Sequence, residues 1–182
     1  MFSEKIRIIA ESYIGKEEIR GNRGFIDRKM QADMEARGWQ KGQAWCAYFA
    51  EMVWAQAYMG QAAQLKIIEN LFSGMAIVTF KQFAQHESAL KQMKKTPFFK
   101  TSQTPTVGAV VIWKLGNGPS GHAGIVVKVN PNGTFETVEG NTNDDGSREG
   151  YEVARKTRHL VEGFGPKKLN LVGFILPWEP GP

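Results

Sequence analysis

The chain has one cysteine, Cys46, and three histidines, His86, His122 and His159. A lone cysteine excludes an internal disulfide framework and structural zinc sites built from several thiolates, so Cys46 either packs or reacts. A reactive cysteine needs thiolate character, a base within hydrogen-bond reach and a group that orients the base. Cys46 lies near the start of the apolar run AWCAYFAEMVW, residues 44–54. In the first turn of a helix it would meet unpaired backbone N–H groups and the positive end of the helix dipole. Both favour S⁻ over SH, and the same N–H groups can bind an oxyanion. His122, at the head of HAGIVVKV, is the candidate base. His86 in QHES and His159 in RHL read as surface residues. Glu139 and Asn141 are both candidates to accept the imidazole N–H. Together these residue types describe nucleophilic attack on a carbonyl, with the histidine moving the proton. The competing explanations are a packed thiol, an idle strand-end histidine and a glutamate capping a polar loop.

These side chains meet only if the surrounding elements bring them together. Residues of about 44–59 read as a helix that is apolar nearly all round, which is a buried anchor, and Gly60 is a natural stop. Its first turn would leave Cys46 at the exposed, electropositive end. Alternation along 122–129 puts His122, Gly124 and Val126 on one face and Ala123, Ile125 and Val127 on the other. Gly124 leaves room for another element to approach the His122 face. NPNG (130–133) is a tight turn that folds TFETVE back beside this strand. Such a hairpin sets residues near 138–141 level with 122–124, so Glu139 and Asn141 both land close to His122.

Upstream, Phe2, Ile6, Ile9, Tyr13 and Ile14 share one helical face, 26–37 forms a second helix, and 61–95 continues helical. The texture changes at about residue 96. TPFFKTSQTPTVG has no helical period, and GAVVIW, EVARKTR and LNLVGFIL read as further strands. Helices first and an antiparallel sheet second predict an α+β fold. With 182 residues, a single domain over 1–182 is expected.

Composition is that of a globular protein, and no apolar run approaches the roughly 20 residues of a membrane span. Glu4, Lys5 and Arg7 stand where a signal peptide would be apolar. Synthesis in the cytoplasm is therefore expected, with delivery by another route if the protein acts outside. The net charge of +5 points to an anionic partner such as nucleic acid, a membrane surface or a cell wall. The basic residues are scattered and no nucleic-acid motif accompanies them, so nucleic acid is not expected.

WCAYF, GHAGIVVKV and VEGNTNDDGSREG together resemble the CHAP family of cysteine, histidine-dependent amidohydrolases/peptidases, within the NlpC-type papain-like superfamily. ESYIGKEEIRGNRG is similar to the opening of phage and bacterial members. The resemblance covers most of the chain, least well between about 61 and 104, which reads as a helical elaboration. It implies a papain-like α+β fold and a peptidoglycan hydrolase. Such an enzyme cuts amide bonds between muramic acid and the stem peptide, or within stems and bridges. By the resemblance, Cys46 is the nucleophile, His122 the base, Glu139 the orienting acid and Asn141 the amide grouped with it. No cofactor is implied, and the chain is expected to act as a monomer on peptidoglycan. Delivery with a phage holin, or by a secretion system with an immunity protein, are both compatible with this reading.

The chain departs from the family in two places. Gly108 is followed by Ala109 where many members carry an acidic residue. RGWQKGQ, before the cysteine, is basic where some members bind calcium, so no metal site is expected. Trp45, Trp113 and Trp178 are candidates to line a substrate groove, and Arg148 to meet a stem-peptide carboxylate. Core tryptophans and a solvated arginine are the alternatives. The rival functions are a protein-directed cysteine protease or deamidase and a non-catalytic wall-binding module.

Overall fold

The computed structural model describes residues 1–142, 150–161 and 164–181. Five helices come first: α1 (Phe2–Ser12), α2 (Arg28–Glu35), α3 (Cys46–Ala57), α4 (Ala62–Leu71) and α5 (Ala76–Gln92). Six strands follow: β1 (Lys100–Ser102), β2 (Val110–Leu115), β3 (Gly121–Val129), β4 (Thr134–Thr142), β5 (Glu152–His159) and β6 (Leu169–Leu176). They form one antiparallel sheet in the order β1-β6-β2-β3-β4-β5. The predicted α+β arrangement is the observed one.

α3 is the centre of the core. Its apolar circumference lets it pack on β3 and β4 while α1, α2, α4 and α5 surround it. Phe49, Val53 and Trp54 are fully buried. The Trp54 indole N–H donates to the Gly108 carbonyl at 3.0 Å, which ties the helix to the start of β2. Gly108 has φ +84, and a Cβ there would lie 2.7 Å from the Ser3 Cα, so this contact with α1 requires glycine.

The alternation of β3 divides as its sequence predicts. Ala123, Ile125 and Val127 join the core under the helices. Val126 joins Trp113, Phe135 and Phe174 on the opposite face. His122 belongs to that second face, where its ring stacks on Trp113 with centroids 5.8 Å apart.

Two features differ from the sequence expectation. The helical stretch 61–95 is two helices, because Phe72 turns to an extended conformation at the end of α4. Gly74 then passes under Tyr48, where a Cβ would lie 2.5 Å from the phenol oxygen. β1 was not legible: three residues are too few for a period of two. It is set by pairing with β6 and by Glu87, whose Oε2 accepts from the Thr101 N–H at 2.7 Å and hydroxyl at 2.8 Å.

Candidate active site

Cys46 is the first residue of α3, and Trp45 locks that helix end in place. Trp45 is fully buried against Phe25 and Phe49, and its indole N–H donates to Glu18 at 2.6 Å. β4 comes so close that a Cβ at Gly140 would lie 2.5 Å from the Trp45 ring. Trp45 is therefore an anchor under the site, and as packed here it presents no surface to a groove. Cys46 departs from expectation too. It is only 5% exposed, because β3 covers the helix start. The His122 ring and the backbone of Ala47 and Ala123 lie close enough to the thiol to favour its charged form.

The β3–β4 hairpin supplies the rest. Ile125 pairs with Val138 and Val126 with Thr137, and a bulge before Lys128 shifts the register by one. Extending that register sets Glu139 opposite Gly124. The room left at Gly124 is used at once, since a Cβ there would lie 2.7 Å from the Glu139 Cγ. The Glu139 carboxylate reaches past the glycine, and its Oε2 lies 2.8 Å from His122 Nε2. That leaves Nδ1 as the ring nitrogen for Cys46. Of the two candidate acceptors, Glu139 is thus the one that meets the imidazole. Asn141 sits at the end of β4 with φ +55, beside an irregularity in the β4–β5 pairing, and its buried Oδ1 has no hydrogen-bond partner among the described residues.

Charge is shared along this line. Burial pushes the Cys46 thiol up, but the charge and hydrogen bond of His122 and two backbone contacts outweigh it, so the thiol falls below its ordinary value. Burial opposes the charged form of His122 as well. The Cys46 charge and hydrogen bonds to Cys46 and Glu139 outweigh it and raise the imidazole to about 10. Burial would raise Glu139, yet bonds from His122 and Arg158 hold it at about 2. All three shifts run toward the charged forms: thiolate, imidazolium and carboxylate.

Arg158 was not singled out from the sequence. EVARKTR reads as a strand, and on β5 it places Ala154, Lys156 and Arg158 opposite Glu139, Thr137 and Phe135. An arginine on a face that also carries a buried acid was the available signal. Arg158 Nε donates to Glu139 Oε1 at 2.8 Å and Nη2 donates to Oε2 at 2.5 Å. Trp113 lies behind the site, 3% exposed, between His122 and Phe135 and beneath the Arg158 guanidinium at 5.1 Å. It supports the site and also lines a smaller cavity of about 210 Å³ with Arg158 and Lys168. Trp178 packs on Phe2 and Phe98 and bonds with Tyr58. Arg148 lies outside the described residues.

A cleft of about 1020 Å³ opens beside His122, lined also by Glu18, Asn22, Asn141, Arg158 and Lys167. Among the described residues no group of three or more His, Cys, Asp or Glu side chains is set to hold a metal ion, and no helix is long and apolar enough to cross a membrane.

A helical half packed on an antiparallel sheet, with a cysteine at the head of the buried helix facing a histidine on the sheet, is the papain-like α+β class. The family model of the CHAP domain matches residues 38–141, more than half of the chain, and the chain belongs to the CHAP domain family. It is also similar to a protein of Staphylococcus aureus (strain NCTC 8325 / PS 47) named Probable autolysin LDP. The two are 49% identical over 47 residues, a stretch that covers 26% of this chain and 16% of that protein. No solved structure matches the chain significantly.

Proposed function

We propose that this protein is a peptidoglycan hydrolase that cuts an amide bond of the bacterial wall through Cys46. The observation that carries the reading is the line from Cys46 through His122 to Glu139, within the stretch matched by the family. The Cys46 thiolate attacks the amide carbonyl and a C–S bond forms. The oxyanion collects beside the backbone N–H groups at the head of α3. His122, already protonated, gives its proton to the leaving amine as the C–N bond breaks. Water then loses a proton to His122, attacks the thioester and releases a carboxylic acid, restoring the thiolate. Glu139 keeps the imidazole oriented and stabilises its charge. The bond is either that between muramic acid and the stem peptide or one within stems and bridges. The similarity to a protein named an autolysin supports the wall as target. The net charge of +5 favours approach to anionic wall polymers.

Purified protein is expected to clear a suspension of purified sacculi. Cys46→Ala and His122→Ala should remove that activity while circular dichroism and melting show an intact fold. Full activity in Cys46→Ala would end this reading.

A further inference from the structure

We propose that Arg158 is a positioning residue of this site, clamping Glu139 as a carboxylate aimed at His122. The inference rests on the reading of Cys46, His122 and Glu139 as one site.

Glu139 is fully buried, and an isolated carboxyl in such a place would be neutral. A neutral carboxyl gives little support to an imidazolium. Four donors surround it. Oε1 accepts from the Thr137 hydroxyl at 2.5 Å and from Arg158 Nε at 2.8 Å. Oε2 accepts from His122 Nε2 at 2.8 Å and from Arg158 Nη2 at 2.5 Å. The two-pronged guanidinium contact fixes the plane of the carboxylate, not only its charge. Arg158 is held in turn by the Trp113 ring, on which His122 also stacks. One indole therefore sets the positions of the clamp and of the base.

The charges alternate: thiolate, imidazolium, carboxylate, guanidinium. Removing the last leaves a buried array with a net negative charge, and the end furthest from Arg158 is the reactive thiol. The lost support is expected to pass along the line as a thiol that ionises less readily. Other charged groups near the line are Lys156, on the same β5 face opposite Thr137, and Glu18 and Lys167 on the cleft wall. A lysine at 158 would restore a point charge but not the fork or the stacking.

The test follows the rate of Cys46 alkylation by iodoacetamide against pH, alongside turnover of sacculi and thermal melting, for wild type, Arg158→Gln, Arg158→Lys and Glu139→Gln. Alkylation needs no substrate, so it stands even if sacculi prove not to be the target. In folded Arg158→Gln the alkylation midpoint is expected to move up by about one pH unit or more, with turnover at neutral pH down about tenfold. Glu139→Gln should shift the midpoint the same way, and the double variant should add nothing further. Arg158→Lys should recover part of the shift. A wild-type alkylation profile in folded Arg158→Gln would overturn the proposal. If Arg158→Gln does not fold, Arg158→Lys decides: a wild-type profile and turnover there would overturn the clamp. Loss of melting temperature with an unmoved profile would reduce Arg158 to a structural residue.

Discussion

Glu139 and Glu51 are both buried glutamates within reach of α3, and they behave in opposite ways. Glu139 lies on β4, receives four hydrogen bonds and is held at about 2. Glu51 lies on α3 itself, five residues after Cys46, and has no hydrogen-bond partner among the described residues. Burial lifts it to about 7, which the charge of Arg37 only partly offsets and that of Glu69 assists. Arg37 is already paired with Glu69 at 2.9 Å. Burial is thus common to both acids and cannot mark either as part of a site. What separates them is the partners: a base, an arginine and a hydroxyl converge on Glu139, while Glu51 faces an ion pair that is already made.

The sharpest break in this comparison is Glu139→Gln. It keeps the shape but removes the charge that His122 and Arg158 both use. Turnover of sacculi is expected to fall a hundredfold or more, as when the orienting acid of a catalytic triad is lost. Stability should fall by about 3 kcal/mol, because the buried Glu139–Arg158 ion pair is broken. Denaturant melts and kcat/KM read the two effects separately, and wild-type turnover would remove Glu139 from the site. Gly124→Ala is the next step down. Its methyl group would stand 2.7 Å from the Glu139 Cγ, so the carboxylate must move off His122. A loss of about tenfold in kcat/KM is expected, and an unchanged rate would mean that the fit at Gly124 does not matter. Thr137→Val removes one of four donors to Glu139, and a few-fold loss with about 1 kcal/mol of stability is expected.

Glu51→Gln should leave turnover unchanged and show its effect in stability alone. The Glu51 pKa is raised on folding, from an ordinary value of 4.5 to about 7. The fold therefore favours the protonated form. Below pH 4.5 the acid costs the fold nothing; between 4.5 and 7 the cost grows, and above 7 it is complete. Glutamine removes it, so the variant should be more stable than wild type at pH 8, by up to about 3 kcal/mol, and equal to it below pH 4.5. Urea melts at the two pH values check this, and a gain that does not depend on pH would contradict it.

Much of this arrangement was legible in the sequence. The period of β3 and the NPNG turn were enough to bring Glu139 to His122, and the apolar circumference of α3 was enough to bury it. Three things were not legible. The bulge before Lys128 shifts the register by one and so sets which face of β4 carries Glu139, and bulges leave little trace in hydrophobic pattern. The burial of Trp45 and Trp113 depends on packing across β4 and Phe135, which no local pattern reports. Arg158 sits opposite Phe135, two rungs from Glu139 on the same face, and its long side chain closes the gap. Reach of that kind follows from rotamers, not from spacing.

The measurement that bears most directly on the central claim is mass spectrometry of the fragments released from purified sacculi in ¹⁸O water, by wild type and by Cys46→Ala. The account predicts that wild type releases fragments ending in a new free amine and in a new carboxylic acid that carries ¹⁸O, with intact glycosidic bonds. Cys46→Ala should release none. Fragments with new reducing sugar ends, or the same amide products from Cys46→Ala, would contradict it.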